Sequence, residues 1–249
     1  MFEGQPKIEV SIRHACLILY LLLNIKRILL VNSFLLALKG YKRVIVIRLQ
    51  KVFDNAFFYD LFQKLVQKSG TEKVIRNEII RPDGISSVLD FGCGVGSHSK
   101  YFTQSNYLGI EPLESCVVRA NRFYANKTTI FRQGDHRTLD SIPSQSRDLI
   151  LGIGVLHHID DYVAQYFLKQ AFRILVPGGR ITTIDPVIHH SQSVFSRFVV
   201  QRDRGLWVRS DADYLGLFRE YFAAEIHYSI YRRLLRIPYD HIGIEAVKK

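Results

Sequence analysis

An alternation of short apolar runs with helical stretches limits this chain to few folds. Five runs with few charges, each followed by a helical stretch, occupy residues 87–91, 107–110, 129–131, 149–153 and 180–184. Strands that are buried on both faces have this composition, because helices cover both sides of a parallel sheet. The alternation therefore predicts an α/β protein with a Rossmann-like, doubly wound and mostly parallel sheet built from right-handed βαβ units.

The clearest predicted helix precedes the fifth run. Four apolar residues at helical spacing share one of its faces: Val163, Phe167, Ala171 and Ile174. Asp160 or Asp161 can cap its first turn, and we expect the sequence Pro-Gly-Gly at 177–179 to end it.

The last part of the chain departs from this pattern. Residues 224–230 and 241–247 are strand-like, but only residues 231–240 separate them. Ten residues are too few for a helical crossover, so the two strands should pair antiparallel. We therefore expect an antiparallel C-terminal hairpin to close the parallel sheet.

Changes in composition divide the chain into three predicted regions. Residues 1–48 form a basic, apolar N-terminal extension, and residues 49–85 form a helical cap with a proline- and glycine-containing turn at its end. Residues 86–249 form the main domain. An insertion at about residues 186–222 interrupts the sheet after its fifth strand, where a lid over a substrate would lie.

The net charge of +11 invites a nucleic-acid reading, but the charge is unevenly distributed. Residues 1–51 hold nine Lys and Arg against two Glu, which leaves only +4 for the other 198 residues. The main domain is thus nearly neutral, and a nucleic-acid partner is disfavoured. The three cysteines show no zinc-type spacing and cannot all be paired, which favours a reducing, cytoplasmic compartment.

Residues 15–38 are strongly apolar, but Lys26 and Arg27 lie near the middle of this stretch. Two adjacent cations would cost several kcal/mol at the centre of a bilayer, so a spanning helix is disfavoured. A cleavable signal peptide is also disfavoured, because no small-residue cleavage site follows. Two interpretations stay open: peripheral contact of residues 15–43 with the inner membrane surface, or an accessory helix with no role in the chemistry.

A glycine-rich turn at residues 90–96 follows the first predicted strand. Its glycines allow a tight turn and bring a ligand close to bare backbone. A dinucleotide fingerprint would place a third glycine or alanine three positions after Gly94, where this chain has Ser97, and its pyrophosphate would be repelled by Asp90. S-adenosylmethionine (SAM) has no phosphate and carries a positive ammonium and sulfonium, so an acid at this position favours SAM.

Two further acids end the next strands. Glu111 follows the second strand, twenty-one residues after Asp90, where an acid is expected to accept hydrogen bonds from both ribose hydroxyls. Asp135 follows the third strand and could accept a hydrogen bond from the adenine amine; capping of the next helix is the alternative role.

Together these residues resemble the class I SAM-dependent methyltransferases between residues 88 and 185. Five signals fall in the order and spacing of that family: the turn at 90–96, Glu111, the pair Gly134-Asp135, the stretch 154–161 and the stretch 175–179. Residues 202–209 and 235–239 are similar to a bacterial subgroup of that family with unassigned substrates, and residues 53–66 resemble its N-terminal cap helix.

The resemblance implies a methyltransferase with SAM as its cofactor. It places SAM at the tips of the first four strands, against Asp90, Gly92, Cys93, Gly94, Glu111, Pro112, Asp135, His136, Gly154 and Val155. The resemblance leaves the acceptor unidentified, and we expect a small molecule, a sugar or a lipid-linked compound.

Methyl transfer from a sulfonium is an in-line displacement, so a base is needed only where the acceptor must lose a proton. His157 and His158 follow the fourth strand and have an unperturbed pKa suited to that role. The alternative is that one of them packs and the other caps the next helix.

The insertion contains arginines and aromatic residues that could clamp an anionic or sugar-bearing acceptor, and the alternative that they only keep the surface soluble is given equal weight. They are Arg197, Arg202, Arg204, Arg209, Phe195, Phe198, Trp207 and Tyr214. Two other classes of function stay open: a non-catalytic protein with the SAM fold that is attached to a membrane by its N-terminus, and a nucleic-acid methyltransferase.

Overall fold

The computed structural model describes residues 68–249, except positions 202, 204, 233 and 237–239. The expectations for residues 1–48, including the membrane contact at 15–43, and for the helix at 53–66 lie outside the described residues. Within the described part of the chain, no helix is long and apolar enough to cross a membrane.

A single sheet of seven strands organises the described residues. The strands are β1 (Ser87–Phe91), β2 (Asn106–Glu111), β3 (Thr129–Gln133), β4 (Arg147–Ile153), β5 (Leu175–Pro186), β6 (Ile226–Tyr231) and β7 (His241–Val247). Their order across the sheet is β3-β2-β1-β4-β5-β7-β6. Strands β1 to β5 run parallel, and β7 pairs antiparallel with both β5 and β6. The predicted sheet and its antiparallel C-terminal hairpin are confirmed.

The central strands are buried on both faces, as their apolar composition predicts. Val88 and Leu89 are adjacent in β1, and both are inaccessible to solvent. Because successive strand residues point to opposite faces, Leu89 joins the apolar cluster that contains Phe167, whereas Val88 joins the cluster that contains Val117. Each face of the sheet therefore has its own core.

The described part of the chain contains five α-helices and several shorter helical turns. The α-helices are α1 (Thr71–Val74), α2 (Glu114–Tyr124), α3 (Asp161–Ile174), α4 (Val194–Val200) and α5 (Asp211–Phe222). A π-helix, Ile75–Ile80, continues α1, and three 3-10 helices cover Ser97–Tyr101, His136–Ser141 and Leu156–His158. The insertion at 186–222 thus contributes α4 and α5.

Helix α3 begins as predicted but ends earlier than predicted. The Asp160 carboxylate accepts a hydrogen bond from the Val163 amide at 2.8 Å, which caps the first turn. The expectation that residues 177–179 end the helix is wrong, because α3 stops at Ile174 and β5 already begins at Leu175. Residues 177–179 lie inside β5, where the register to β4 shifts and Gly178 has a φ of 78°. The glycines accommodate an irregular strand.

Candidate functional site

The carboxyl ends of β1, β2, β4 and β5 form the edge of the sheet where the predicted site residues lie. Strand β1 pairs with β2 on one side and with β4 on the other, so the strand order reverses there. Ligands of doubly wound sheets bind in the crevice at such a reversal. The turn after β1 and the turn after β4 both lie at this reversal.

The glycine-rich turn after β1 packs closely against the turn after β4. Gly92 has a φ of 72°, a left-handed conformation that favours glycine. A Cβ atom at this position would lie 2.6 Å from Cγ2 of Val155. Gly94 also has a positive φ, of 53°, and its amide points at Glu111. The structure therefore brings Gly92 against Val155 and Gly94 against Glu111.

Asp90 is a fully buried carboxylate at the end of β1. Its Oδ2 atom accepts a hydrogen bond from the Tyr107 hydroxyl, and its Oδ1 atom has no hydrogen-bond partner among the described residues. Nδ1 of His98 lies 3.7 Å from Oδ2, beyond hydrogen-bond distance. Burial, together with the negative charge of Asp90, raises the pKa of Tyr107 well above its usual value, so its hydroxyl stays protonated as a donor. One oxygen of a buried charge thus remains available for a positive ligand group.

Glu111 ends β2, and its carboxylate reaches across to the glycine-rich turn. Oε2 accepts from the Gly94 amide at 3.0 Å, and Oε1 accepts from the Leu113 amide at 3.1 Å. Burial raises the pKa of Glu111, while these two hydrogen bonds oppose that shift. Because each carboxylate oxygen can accept more than one hydrogen bond, both still have capacity for a pair of hydroxyl groups.

The other predicted cofactor residues lie at the same edge in different environments. The Cys93 side chain points into the core, and burial raises the pKa of its thiol. Only its backbone can face the crevice. The Pro112 carbonyl accepts from Gln133, which joins the ends of β2 and β3. Gly154, with a φ of 70°, donates its amide to Ile184 at the end of β5.

Asp135 has the capping role that the sequence left open as an alternative. Its carboxylate accepts from the Arg137 amide at 2.9 Å and forms an ion pair with the Arg137 guanidinium at 2.5 Å. These hydrogen bonds lower the pKa of Asp135 to about 2. His136 beside it makes an edge-on ring contact with Tyr166.

The histidine pair after β4 is divided between the interior and the surface. His157 is 7% exposed, and its Nδ1 atom lies 2.7 Å from Oδ1 of Asp185, which also accepts from the His157 amide at 3.1 Å. His158 is exposed, and its ring lies 3.9 Å from that of His157 between centroids. Asp185 belongs to β5, so the paired carboxylate fixes the imidazole between two strand ends. Of the two predicted candidates, His157 is the oriented one.

A segment of the insertion, Asp203 with residues 205–209, covers His157 from the other side. Oδ1 of Asp203 lies 3.7 Å from Nε2 of His157, and the Trp207 amide donates to the His157 carbonyl at 3.0 Å. A Cβ atom on Gly205 would lie 2.5 Å from that same carbonyl oxygen and would also overlap the imidazole ring. Only glycine fits this close approach.

Arg209 fastens this segment to the turn that carries the histidines. It is 7% exposed and donates to the carbonyls of Leu156 at 2.6 Å and of Ile159 at 2.9 Å. Its Nε atom donates to Asp161 at 2.8 Å. The interpretation of Arg209 as a clamp on an anionic acceptor is therefore wrong, because its guanidinium is occupied by these protein groups. Arg197 is exposed, and Arg202 and Arg204 lie outside the described residues.

Behind His157 lies a second buried pair. Nε2 of His189 lies 2.9 Å from Oδ2 of Asp240, and His241 is buried beside them at the start of β7. Burial lowers the pKa of His241 to about 4. Within the described residues, no group of three His, Cys, Asp or Glu side chains could hold a metal ion.

The sequence interpretation did not single out Tyr107, Asp185, Asp203 or Gly205. Asp185 ends the fifth strand, and its position one residue beyond an apolar run was a usable signal. Tyr107 carries no such signal, because a tyrosine at the start of a buried strand is usually a packing residue.

Comparison with known proteins bears on the domain as a whole. A family model described as a methyltransferase domain matches residues 88–179. No curated protein matches the chain.

Among solved structures, a SAM-dependent methyltransferase from Archaeoglobus fulgidus is similar, with a TM-score of 0.61 at 17% identity, covering 77% of this chain and 100% of that protein. The YcgJ protein of Bacillus subtilis gives a TM-score of 0.55 at 15% identity, covering 73% of this chain and 98% of its own. Human N-acetylserotonin methyltransferase, in complex with SAM, gives 0.51 at 17% identity, covering 72% and 53%. At these identities the structural likeness shows the fold.

Proposed function

We propose that the chain is a class I SAM-dependent methyltransferase and that it transfers the methyl group of SAM to a hydroxyl of a small-molecule, sugar or lipid-linked acceptor, since residues 88–179 match a methyltransferase domain and the fold is similar to that of a SAM-dependent methyltransferase. The observation that supports an acceptor with a removable proton is the buried pair of His157 and Asp185 at the end of β4 and β5. An imidazole that a carboxylate holds in one orientation at this strand end suits a base that accepts such a proton.

The residues at the tips of β1 and β2 fit SAM. The unpartnered Oδ1 atom of Asp90 suits a positive group of the methionine moiety, directly or through water. The two oxygens of Glu111, already fixed by the Gly94 and Leu113 amides, suit the two ribose hydroxyls. When bound, SAM would supply a methyl group on a positively charged sulfur atom. That sulfur is the leaving group of an in-line transfer to the acceptor oxygen.

His157 is proposed to take the hydroxyl proton. Because Asp185 accepts the Nδ1 hydrogen, Nε2 carries the free lone pair and is the atom that can accept a proton. Asp185 also stabilises the imidazolium that forms, as a carboxylate does in catalytic pairs of this kind. An acceptor hydroxyl at Nε2 would lie beside Asp203, which borders that nitrogen.

We further propose that the chain acts in the cytoplasm and that residues 15–43 contact the inner membrane surface. The support is their apolar and basic composition alone. This proposal is independent of the chemistry at His157.

The test is transfer of labelled methyl from SAM into fractions of a cell extract. We expect label in one fraction with the wild-type chain, loss of the label with Glu111→Ala through weakened SAM binding, and loss with His157→Asn while SAM binding is kept. Pretreatment of the extract with nucleases should leave the label unchanged, and its loss would support a nucleic-acid acceptor instead. If the wild-type chain binds SAM and labels nothing, the proposal is wrong and the non-catalytic alternative holds.

A further inference from the structure

Helix α4 of the insertion presents an apolar face to solvent. Val194 is 87% exposed, Phe195 is 64% exposed and Phe198 is 43% exposed. Residues at these spacings lie on one side of a helix, whereas the opposite side, with Ser196 and Val200, is buried against the domain. The exposure is therefore a property of one face and not of a loosely packed helix.

The same insertion exposes two more large apolar side chains. Leu206 is 88% exposed and Trp207 is 43% exposed. The Trp207 amide is the group that donates to the His157 carbonyl, so these side chains belong to the segment that covers the candidate base. We name Val194, Phe195, Phe198, Leu206 and Trp207 together the apolar patch.

Positive charge accompanies the patch. The exposed Arg197 donates to the His189 carbonyl at 3.0 Å, and the exposed Arg232 donates to the Ser191 hydroxyl at 3.2 Å, so both arginines lie at the stretch that leads into α4. Of the acids near the patch, the exposed Asp161 and Asp213 line the same surface cavity as Leu206 and Trp207. Two others are directed inward. Asp240 pairs with His189, and Asp203 accepts from the Gly205 amide at 2.7 Å.

Another helix shows what ordinary exposure looks like in this molecule. Val118 and Phe123 of α2 are 61% and 58% exposed. They are five positions apart and so do not share a helix face. The guanidinium groups of Arg119 and Arg122 lie 5.0 and 5.6 Å from the centre of the Phe123 ring and cover it. Within the described part of the chain, Phe195 makes no such contact with a guanidinium group.

We propose that the apolar patch docks on an anionic membrane surface and that the methyl acceptor is a hydroxyl compound linked to a lipid in that membrane. Aromatic and aliphatic side chains next to arginines match the boundary between headgroups and acyl chains, where the rings insert and the guanidinium groups meet lipid phosphates. A second copy of the chain fits less well, because a symmetric contact would bring Arg197 and Arg232 of both copies together. The substrate class named here rests on the proposed methyl transfer.

The sole tryptophan of the chain makes the docking measurable, because Trp207 belongs to the patch. With vesicles of phosphatidylcholine and phosphatidylglycerol, we expect the Trp207 emission of the full chain to shift to the blue. Vesicles of phosphatidylcholine alone should give a much smaller shift. A chain that co-sediments with the anionic vesicles while its Trp207 emission stays unchanged would be bound through other residues, and the proposal would be overturned.

Matched double variants separate the patch from general surface hydrophobicity. We expect Val194→Ser with Phe195→Ser to lower partitioning to anionic vesicles about tenfold or more. Val118→Ser with Phe123→Ser removes the same residue types from α2 and should leave partitioning unchanged. Equal partitioning of both variants and the wild type would overturn the proposal. The proposal would also be overturned if sedimentation analysis showed a dimer of the wild type that the α4 variant, Val194→Ser with Phe195→Ser, abolishes.

The substrate class is tested by where labelled methyl from SAM is found. We expect it in lipid extracted into organic solvent, reduced about tenfold by the α4 variant, with calorimetric SAM affinity unchanged. Label in a water-soluble acceptor, equal for both variants, would overturn this inference and leave the proposed function standing. Absence of label from every fraction would count against the proposed function, while the Trp207 shift would still decide the docking.

Discussion

Among single residues, Asp90 has the largest expected electrostatic effect on ligand binding. It is completely buried, and the hydrogen bond from Tyr107 satisfies only one of its oxygens. A buried carboxylate in this state lowers the stability of the ligand-free protein, since desolvation is not fully offset. Such an arrangement is advantageous where a positively charged ligand completes it.

We therefore expect Asp90→Asn to separate stability from binding. Without ligand, the free energy of unfolding should rise by about 1 kcal/mol. The reason is that a neutral amide replaces a buried carboxylate that accepts a hydrogen bond from only one donor. SAM binding should weaken by about 1 to 3 kcal/mol. Urea denaturation and titration calorimetry measure the two quantities, and Asp83→Asn, at an exposed acid, is the control. A variant that loses stability and keeps its SAM affinity would show that Asp90 is structural.

Glu111 makes a second prediction at this scale. Glu111→Ala should weaken SAM binding by roughly 1.5 to 3 kcal/mol, since it removes a charged acceptor from two hydroxyls. Glu114→Ala, three residues further on and exposed, should leave the affinity unchanged. Calorimetry with SAM decides this, and an unchanged affinity of the Glu111 variant would remove that residue from the site.

The sequence predicted residues whose signals are local and missed those that depend on distant pairing. The glycine turn and Glu111 stand at strand ends and are recognisable from their immediate neighbours. Tyr107 and Asp90 are 17 residues apart, and His157 and Asp185 are 28 apart. These pairs meet only because β1 lies beside β2 and β4 beside β5, so single-sequence patterns cannot reveal them.

At the scale of secondary-structure elements, one arginine joins three of them. Arg209 lies just before α5 and donates hydrogen bonds to the carbonyls of Leu156 and Ile159, in and after the Leu156–His158 turn. It also pairs with Asp161 in the first turn of α3. The planar guanidinium makes these hydrogen bonds in several directions at once, which a lysine ammonium cannot reproduce.

Arg209→Ala should lower the free energy of unfolding by about 2 to 4 kcal/mol, because buried carbonyls lose their donor. Arg209→Lys should lower it by about half as much. In both variants we expect a red shift of the Trp207 emission as Asp203 and residues 205–209 loosen. The exposed Arg219→Ala should change neither readout, and equal behaviour of Arg209→Ala and Arg219→Ala would contradict the fastening role.

Elements were predictable where periodicity and capping agree. Helix α3 shows both, with Asp160 at its start and Phe167 and Ile174 buried. Its end was misjudged because the Pro-Gly-Gly sequence at 177–179, a common helix stop, here accommodates a shift of register inside β5. Whether a glycine pair ends a helix or accommodates an irregular strand depends on the neighbouring strand.

At the scale of the whole molecule, His241 couples stability to pH. Burial lowers its pKa in the folded protein to about 4, whereas the pKa in the unfolded chain is about 6.5. Between these values the unfolded state binds a proton that the folded state does not. Stability from this group is therefore present above about pH 6.5 and is lost as the pH falls towards 4.

We expect the wild type to lose about 2 kcal/mol more unfolding free energy than His241→Gln between about pH 7.5 and about pH 5. Urea denaturation at both pH values measures it, with each protein serving as its own reference at the higher pH. Parallel losses in the two proteins would mean that other groups account for the acid sensitivity.

The central claim is that a buried acid beside bare backbone at the tip of β1 selects a positively charged nucleoside over a phosphorylated one. Titration calorimetry of the full chain with SAM, S-adenosylhomocysteine and NAD tests it most directly. The account predicts saturable binding of the first two and none of NAD. Binding of NAD with no response to SAM or S-adenosylhomocysteine would contradict it.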